Sequence, residues 1–293
     1  MAKMDVDAGM GAGADRREAG LRALWRNASY LLLWAGQAVS SVGTQLSQIA
    51  YPLLVLALTG SAAQAGFLGA ARTFPYLLLG LPAGALVDRW NRKRLMMLCD
   101  AGRALLLGSI PLALLLGRLT LAQLYVVAVA EGALNVFFNL ANTAALTRVV
   151  TKAQLPIALA QDEVTLSAGF TAGPALGGAL FSLGRALPFL ADAISYAISV
   201  GSLLFIKTPF QGERSSARRK LRAEIGEGLR WLWSQPLIRF MAFLTGGLNF
   251  TSGLTLIIIV IAQRQHATSF LIGLVFAIGS IGGVVGSVIG PAI

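Results

Sequence analysis

Eight apolar runs of 20 residues or more dominate this chain, at 30–57, 66–87, 95–117, 121–146, 157–183, 187–206, 238–261 and 268–290. A helix of about 20 apolar residues covers the roughly 30 Å hydrocarbon core of a bilayer. Lipid offers backbone groups no hydrogen-bond partners, so only helices and closed barrels cross it, and these runs are far too long for barrel strands. The expectation is an all-α, polytopic membrane protein. Only 13% of the 293 residues are charged, against about 25% in soluble domains.

The net charge of +11 raises the question of nucleic acid, but its distribution points to a lipid bilayer instead. Of 24 Lys and Arg, 18 fall on one side of the predicted spans. They lie in the N-terminal tail, between spans 2 and 3, between spans 4 and 5 (Arg148, Lys152), and between spans 6 and 7. The other side carries only Arg118, Arg185 and Arg264. The positive-inside rule then places both termini in the cytoplasm. Residues 1–29 read as a polar, Gly/Ala-rich cytoplasmic tail. Its Arg16-Arg17 pair is followed by Glu18 and by a long apolar run with no clear cleavage site, which argues against a removable signal. The single cysteine, Cys99, excludes a disulfide framework and reads as packing. His266 is the only histidine, so no metal site is expected. No nucleophile–base pair or phosphate loop is present at matching spacing, so neither an enzyme nor a cofactor is expected.

Between the second and third spans lies Gly84-Ala-Leu-Val-Asp88-Arg89-Trp-Asn91-Arg92-Lys93-Arg94, a burst of charge confined to a tight turn. It resembles the signature loop between helices 2 and 3 of the major facilitator superfamily, matching at Gly84, Asp88, Arg89, Arg92 or Lys93, and Arg94. Asn91 replaces the pattern's second glycine, and the expectation is that it adopts positive φ in its place. The run Gly169-x-x-x-Gly173-Pro174-x-x-Gly177-Gly178 in span 5 leaves one helix face bare for a neighbour's backbone. It resembles the superfamily's antiporter motif, which is associated with export. Leu33-Trp34-Ala-Gly36-Gln37, Pro82-Ala-Gly84 and Gly228-Leu-Arg230-Trp231 are similar to the bacterial efflux branch that includes siderophore and macrolide exporters.

The resemblance implies the superfamily fold, truncated to about eight spans of a twelve-span plan. Residues 30–206 would form the N-terminal six-helix half and 237–293 the first two helices of the second half. The polar linker 207–236 lies between them, with Leu221, Ile225, Leu229 and Leu232 on one stripe of a surface helix. The resemblance also implies that Asp88 gates the cycle, pairing with its own loop and with Arg148, and contacting a helix 11 that is absent here. Many members of the branch carry an acid in the first helix where this chain has Thr44.

Two spans carry polar stripes. Gln37, Ser41, Thr44 and Gln48 in span 1 fall within roughly 60°, and Glu131, Asn135, Asn139 and Asn142 in span 4 within roughly 80°. Such faces avoid lipid, so they line a cavity or bond between helices. Span 7 adds Thr245, Asn249 and Ser252. The resemblance implies that spans 1, 4 and 7 line the substrate cavity. Glu131 is the one carboxylate expected near mid-membrane, either exchanging protons or paired with an Asn or Arg103. Arg72 either holds an anionic group, pairs or snorkels. Asp100 and Arg103 are expected to pair at i,i+3, and Asp192 to sit near the outer surface at a helix N-terminus. The reading is a proton-coupled exporter of amphipathic small molecules in the bacterial cell membrane, working by alternating access. The alternative is a truncated, non-transporting membrane protein, or one partnered by a complementary chain supplying the missing helices.

Overall fold

The computed structural model describes residues 24–208, 210, 221–251, 254–265, 267–276 and 278. Nine named helices occupy them: α1 Ala28–Thr59, α2 Ala62–Arg89, α3 Arg92–Leu115, α4 Leu121–Val149, α5 Leu155–Leu183, α6 Leu187–Phe205, α7 Leu221–Ser234, α8 Pro236–Thr251 and α9 Leu254–Arg264. A further helical stretch covers 269–276. No strand occurs among the described residues.

Short turns joined to capped ends make the first four helices a tight up-and-down series. Gly60 closes α1 at φ 65, in the left-handed region that glycine enters at no steric cost. The Ser61 side chain then caps α2 by accepting from the Gln64 amide. Asn27 and Thr120 cap α1 and α4 in the same way. Five of the helices are long and apolar enough to cross a membrane, and α2 becomes a sixth when its two limbs, bent by 66° around Gly80–Pro82, are taken as one span. Pro82 removes a backbone hydrogen bond at that bend. The expected seventh span is divided between α8 and α9. The expected eighth is described only through its first part.

The helices pack as a ring: α1 lies on α6, α6 on α3, α3 on α4, α4 on α2, and α2 closes back on α1, with α5 laid against the far side of α1. Leu77, Leu105, Leu115 and Leu183 point outward and are each more than three-quarters exposed, a surface for lipid rather than water. Inside the ring the core is layered. One apolar cluster (Leu53, Leu54, Leu107, Ile110, Leu124, Phe189) fills the end holding the α1–α2 turn. A second (Leu33, Val87, Met96, Phe138, Leu146, Leu203) fills the end holding the α2–α3 turn. A polar belt lies between them.

Candidate functional site

The belt forms because α1, α3, α4 and α6 each place their polar residues halfway along. Ser40, Gln45 and Ser47 of α1, Asp100 and Arg103 of α3, Glu131 of α4, and Asp192, Ser195 and Ser199 of α6 are all buried. Two guanidiniums and three carboxyls meet there. Arg72 of α2 pairs with Glu131 at 2.8 Å, and the Tyr51 hydroxyl donates to the other Glu131 oxygen at 3.2 Å. The Arg72 guanidinium also stands 5.3 Å from the centre of the Tyr51 ring. Arg103 pairs with Asp100 at 3.2 Å, as the i,i+3 spacing leads one to expect. Arg103 also donates to the Tyr196 hydroxyl, lies 4.0 Å from that ring's centre, and stacks toward Phe138. Ser199 donates to Asp100 at 2.6 Å, which ties α3 to α6.

Asp192 departs from its expected place. It is fully buried rather than near a surface, because α6 begins at Leu187 and position 192 is already more than a turn inside it. Its carboxyl oxygens meet hydroxyls: Ser47 of α1 at one, Ser195 at the other. Gly36 and Gly43 make this contact possible. A Cβ on Gly43 would collide with Ser195 and Asp192, and one on Gly36 with Ser202, so α6 can lie this close to α1 only where α1 has no side chains. Glu131 is seated in the same manner. A Cβ on its neighbour Gly132 would strike the Arg72 carbonyl.

The two predicted polar stripes divide between bonding and open space. On α1, Gln37 donates to Ser199 at 3.2 Å and Thr44 shares a 2.7 Å hydrogen bond with Tyr196, so both turn to α6. Ser41 is half-buried beside Gly169, and Gln48 is exposed. On α4, Asn135 and Asn139 both donate to the Tyr76 hydroxyl of α2, which the sequence reading did not single out. Asn142 is half-buried with its carbonyl oxygen enclosed. Thr245 is exposed on α8. The Asn249 side chain, Ser252, His266, the tail before residue 24 and residues 211–220 lie outside the described residues, as do the side chains of Leu221, Ile225 and Leu229 on α7.

In the charged turn, Asp88 pairs with Arg92 at 2.9 Å. Arg92 also donates to the Ala144 and Phe210 carbonyls, and Lys93 donates to the Ile206 and Leu204 carbonyls at the end of α6. The cations therefore fasten the start of α3 to backbone carbonyls of α4, of the end of α6 and of the segment that follows it. Arg148 does not appear among the ion pairs of Asp88; it lines an open pocket of about 530 Å³ with Arg92, Thr147, Thr151 and Lys152. Asn91 does not take positive φ. It sits at φ −71 and caps α3, its side chain accepting from the Arg94 amide at 3.1 Å. An N-cap needs extended backbone and a side-chain oxygen, which asparagine supplies and glycine lacks.

The glycine run of α5 works on two sides. Gly173 lies against Gln45, and Gly177 against Ile49 and the Leu46 backbone, so α1 and α5 touch nearly main chain to main chain. Gly169 is looser: a Cβ there would stand 3.6 Å from Ser41 and 3.7 Å from Gln45, ordinary contact distances. On the other side, a Cβ on Gly178 would meet the Ser269 carbonyl, and one on Gly273 the Pro174 carbonyl. Helix α5 is thus pressed between α1 and the 269–276 helix.

A ring of helices long and apolar enough to cross a membrane, with a buried ionic belt, a charged turn between its second and third helices and a glycine seam on its fifth, is the architecture of a polytopic membrane protein. Residues 33–293 match the model of the Major Facilitator Superfamily, and the chain belongs to that family. It is similar to the multidrug efflux pump Tap of Mycolicibacterium fortuitum, 29% identical over 221 residues, covering 72% of this chain and 54% of that protein. It is also similar to the enterobactin exporter EntS of Citrobacter koseri, 25% identical over 265 residues, covering 88% of this chain and 62% of EntS. The chain thus spans about half the length of Tap. Among solved structures, a bacterial homologue of the human lysosomal transporter Spinster, inward-facing and unoccupied, shares the fold with a TM-score of 0.64 at 17% identity, over 92% of this chain and 64% of that one.

Proposed function

We propose that this protein exports amphipathic small molecules across the bacterial cell membrane by alternating access, driven by inward proton movement. The observation that carries the reading is the α5 seam, in which Gly169, Gly173, Pro174, Gly177 and Gly178 seat one helix against both α1 and the start of the eighth span. Such a seam lets two helix groups separate and reseat without side chains in the way. The names of the relatives, a multidrug efflux pump and an enterobactin exporter, support export over uptake. Substrate would enter the open polar face formed by Ser41, Gln48, Tyr76, Asn135 and Asn139, with Gln37, Thr44, Glu131, Asn142 and Asn249 bordering it. Three acids of the belt, Asp100, Glu131 and Asp192, are available to carry the coupled proton.

Residues 30–206 are read as the first half of the transporter, 207–236 as a cytoplasmic linker, and 237–293 as the opening of the second half, to which further helices would contribute in the same or another chain. The 18-to-3 distribution of cations supports a cytoplasmic tail and linker. Ser61→Cys and Ser215→Cys, each in a Cys99→Ser background, should then react oppositely with an impermeant thiol reagent in intact cells. Function is tested in proteoliposomes with an imposed pH gradient and a panel of fluorescent amphipathic dyes. Dye movement that follows the gradient supports the proposal. Movement of dyes down their own gradient alone, indifferent to pH, contradicts the coupling.

A further inference from the structure

We infer that Asp192 holds a proton at neutral pH and is the group that releases it during the transport cycle; the second half of this statement rests on the coupled export proposed above. Charge and hydrogen-bond counting both lead to Asp192. Arg72 is taken by Glu131 and Arg103 by Asp100, and of the three belt carboxyls only Asp192 has no guanidinium partner among the described ion pairs. The groups that share the belt with it are Tyr51 from α1, Arg72 from α2, Asp100 and Arg103 from α3, Glu131 from α4 and Tyr196 from α6. With all three acids ionised this set carries one uncompensated negative charge away from water, which is costly. One proton cancels it.

The two serines can accommodate that proton on Asp192. A serine hydroxyl has a single hydrogen to donate. Ser47 Oγ lies 3.1 Å from the Thr44 carbonyl and also against Asp192 Oδ2. Ser195 Oγ lies 2.7 Å from the Asp192 backbone carbonyl and 3.3 Å from Asp192 Oδ1. If each serine donates to its backbone carbonyl, the contact between Ser47 Oγ and Asp192 Oδ2 needs a hydrogen from the carboxyl. The protonated acid supplies it from Oδ2, and Oδ1 is left as an acceptor 3.3 Å from Ser195 Oγ. When the proton leaves Asp192 for water on the open side of the transporter, both hydroxyls can rotate away from the carbonyls and donate to the carboxylate. Ser47 and Ser195 are therefore two-position donors that serve either protonation state without moving a helix.

The test is pH-jump difference infrared spectroscopy of the purified protein in lipid nanodiscs. A protonated-carboxyl band at neutral pH that vanishes in Asp192→Asn, and persists in Glu131→Gln and Asp100→Asn, is the expected result. A band that survives in Asp192→Asn, or none at all in the unaltered protein, overturns the inference. Should Asp192→Asn fail to fold, Ser47→Ala keeps the question open to decision. It removes one donor from the carboxylate, so the band should persist through a jump that erases it in the unaltered protein; an unchanged response counts against the inference. Release is tested separately with ethidium in proteoliposomes, where Asp192→Asn should bind dye yet lose its response to the pH gradient. A retained response overturns the release step. If the unaltered protein itself ignores the gradient, the coupled-export proposal falls, and the infrared result alone decides whether Asp192 is protonated.

Discussion

Glu131 and Asp192 lie in one layer of the bundle, and both are almost wholly buried, at 1% and 0% exposure. Each is seated beside a glycine that lets the neighbouring helix close in: Gly132 admits α2 to α4, and Gly43 admits α6 to α1. The two differ in what the neighbour delivers. Helix α2 brings a guanidinium to Glu131, whereas α1 brings only a hydroxyl to Asp192. Close approach is therefore a matter of missing side chains. Whether a buried acid can stay ionised is a matter of the single residue that the approach brings within reach.

Glu131→Gln should break the contrast most severely. It strands the Arg72 charge with only a fifth of its side chain exposed, and orphaning one member of a buried pair costs about 3–5 kcal/mol. The loss should appear as a marked drop in melting temperature in nanodiscs, and Arg72→Met in the same chain should restore most of it. Gly43→Val comes next. Its side chain would overlap Ser195 and Asp192, and overpacking of this kind costs about 1–3 kcal/mol. Gly173→Leu, against Gln45, should cost a similar amount and also abolish export, since it wedges α5 off α1. If export survives in that variant, the seam does not serve the cycle. A smaller effect is expected for Tyr76→Phe. It frees the amides of Asn135 and Asn139 on an exposed face, worth about 0.5–1.5 kcal/mol, and a change in dye affinity larger than the change in stability would place Tyr76 in the substrate face.

Much of this arrangement was legible in the residues. The apolar runs announced the first six helices, the spacing of Gly169, Gly173 and Gly177 announced a bare face, and the i,i+3 spacing of Asp100 and Arg103 announced their pair. These are local periodicities, and a helix preserves them whatever its neighbours. The Arg72–Glu131 pair was not legible, because 59 residues separate its partners and only the packing of α2 on α4 joins them. Asp192 was misplaced because an acid early in a span has the look of a helix-terminal charge. The signals against that reading were present, in Ser195 and Ser199 on its own face and in the Gly36 and Gly43 spacing across from it, but they acquire meaning only once α6 is known to lie on α1. Asn91 stands where the motif has a glycine, but an asparagine just ahead of an apolar run is itself an N-cap signal.

The most direct test of the account is a side-by-side thermal melt of Glu131→Gln and Asp192→Asn in the same nanodiscs at neutral pH. If Asp192 is neutral and satisfied by hydroxyls while Glu131 is an ion-pair partner, the asparagine substitution mimics the resident state and should leave the melting temperature nearly unchanged. The glutamine substitution should lower it by an amount corresponding to about 3 kcal/mol. Equal destabilisation by the two would contradict the distinction between the paired and the protonated acid.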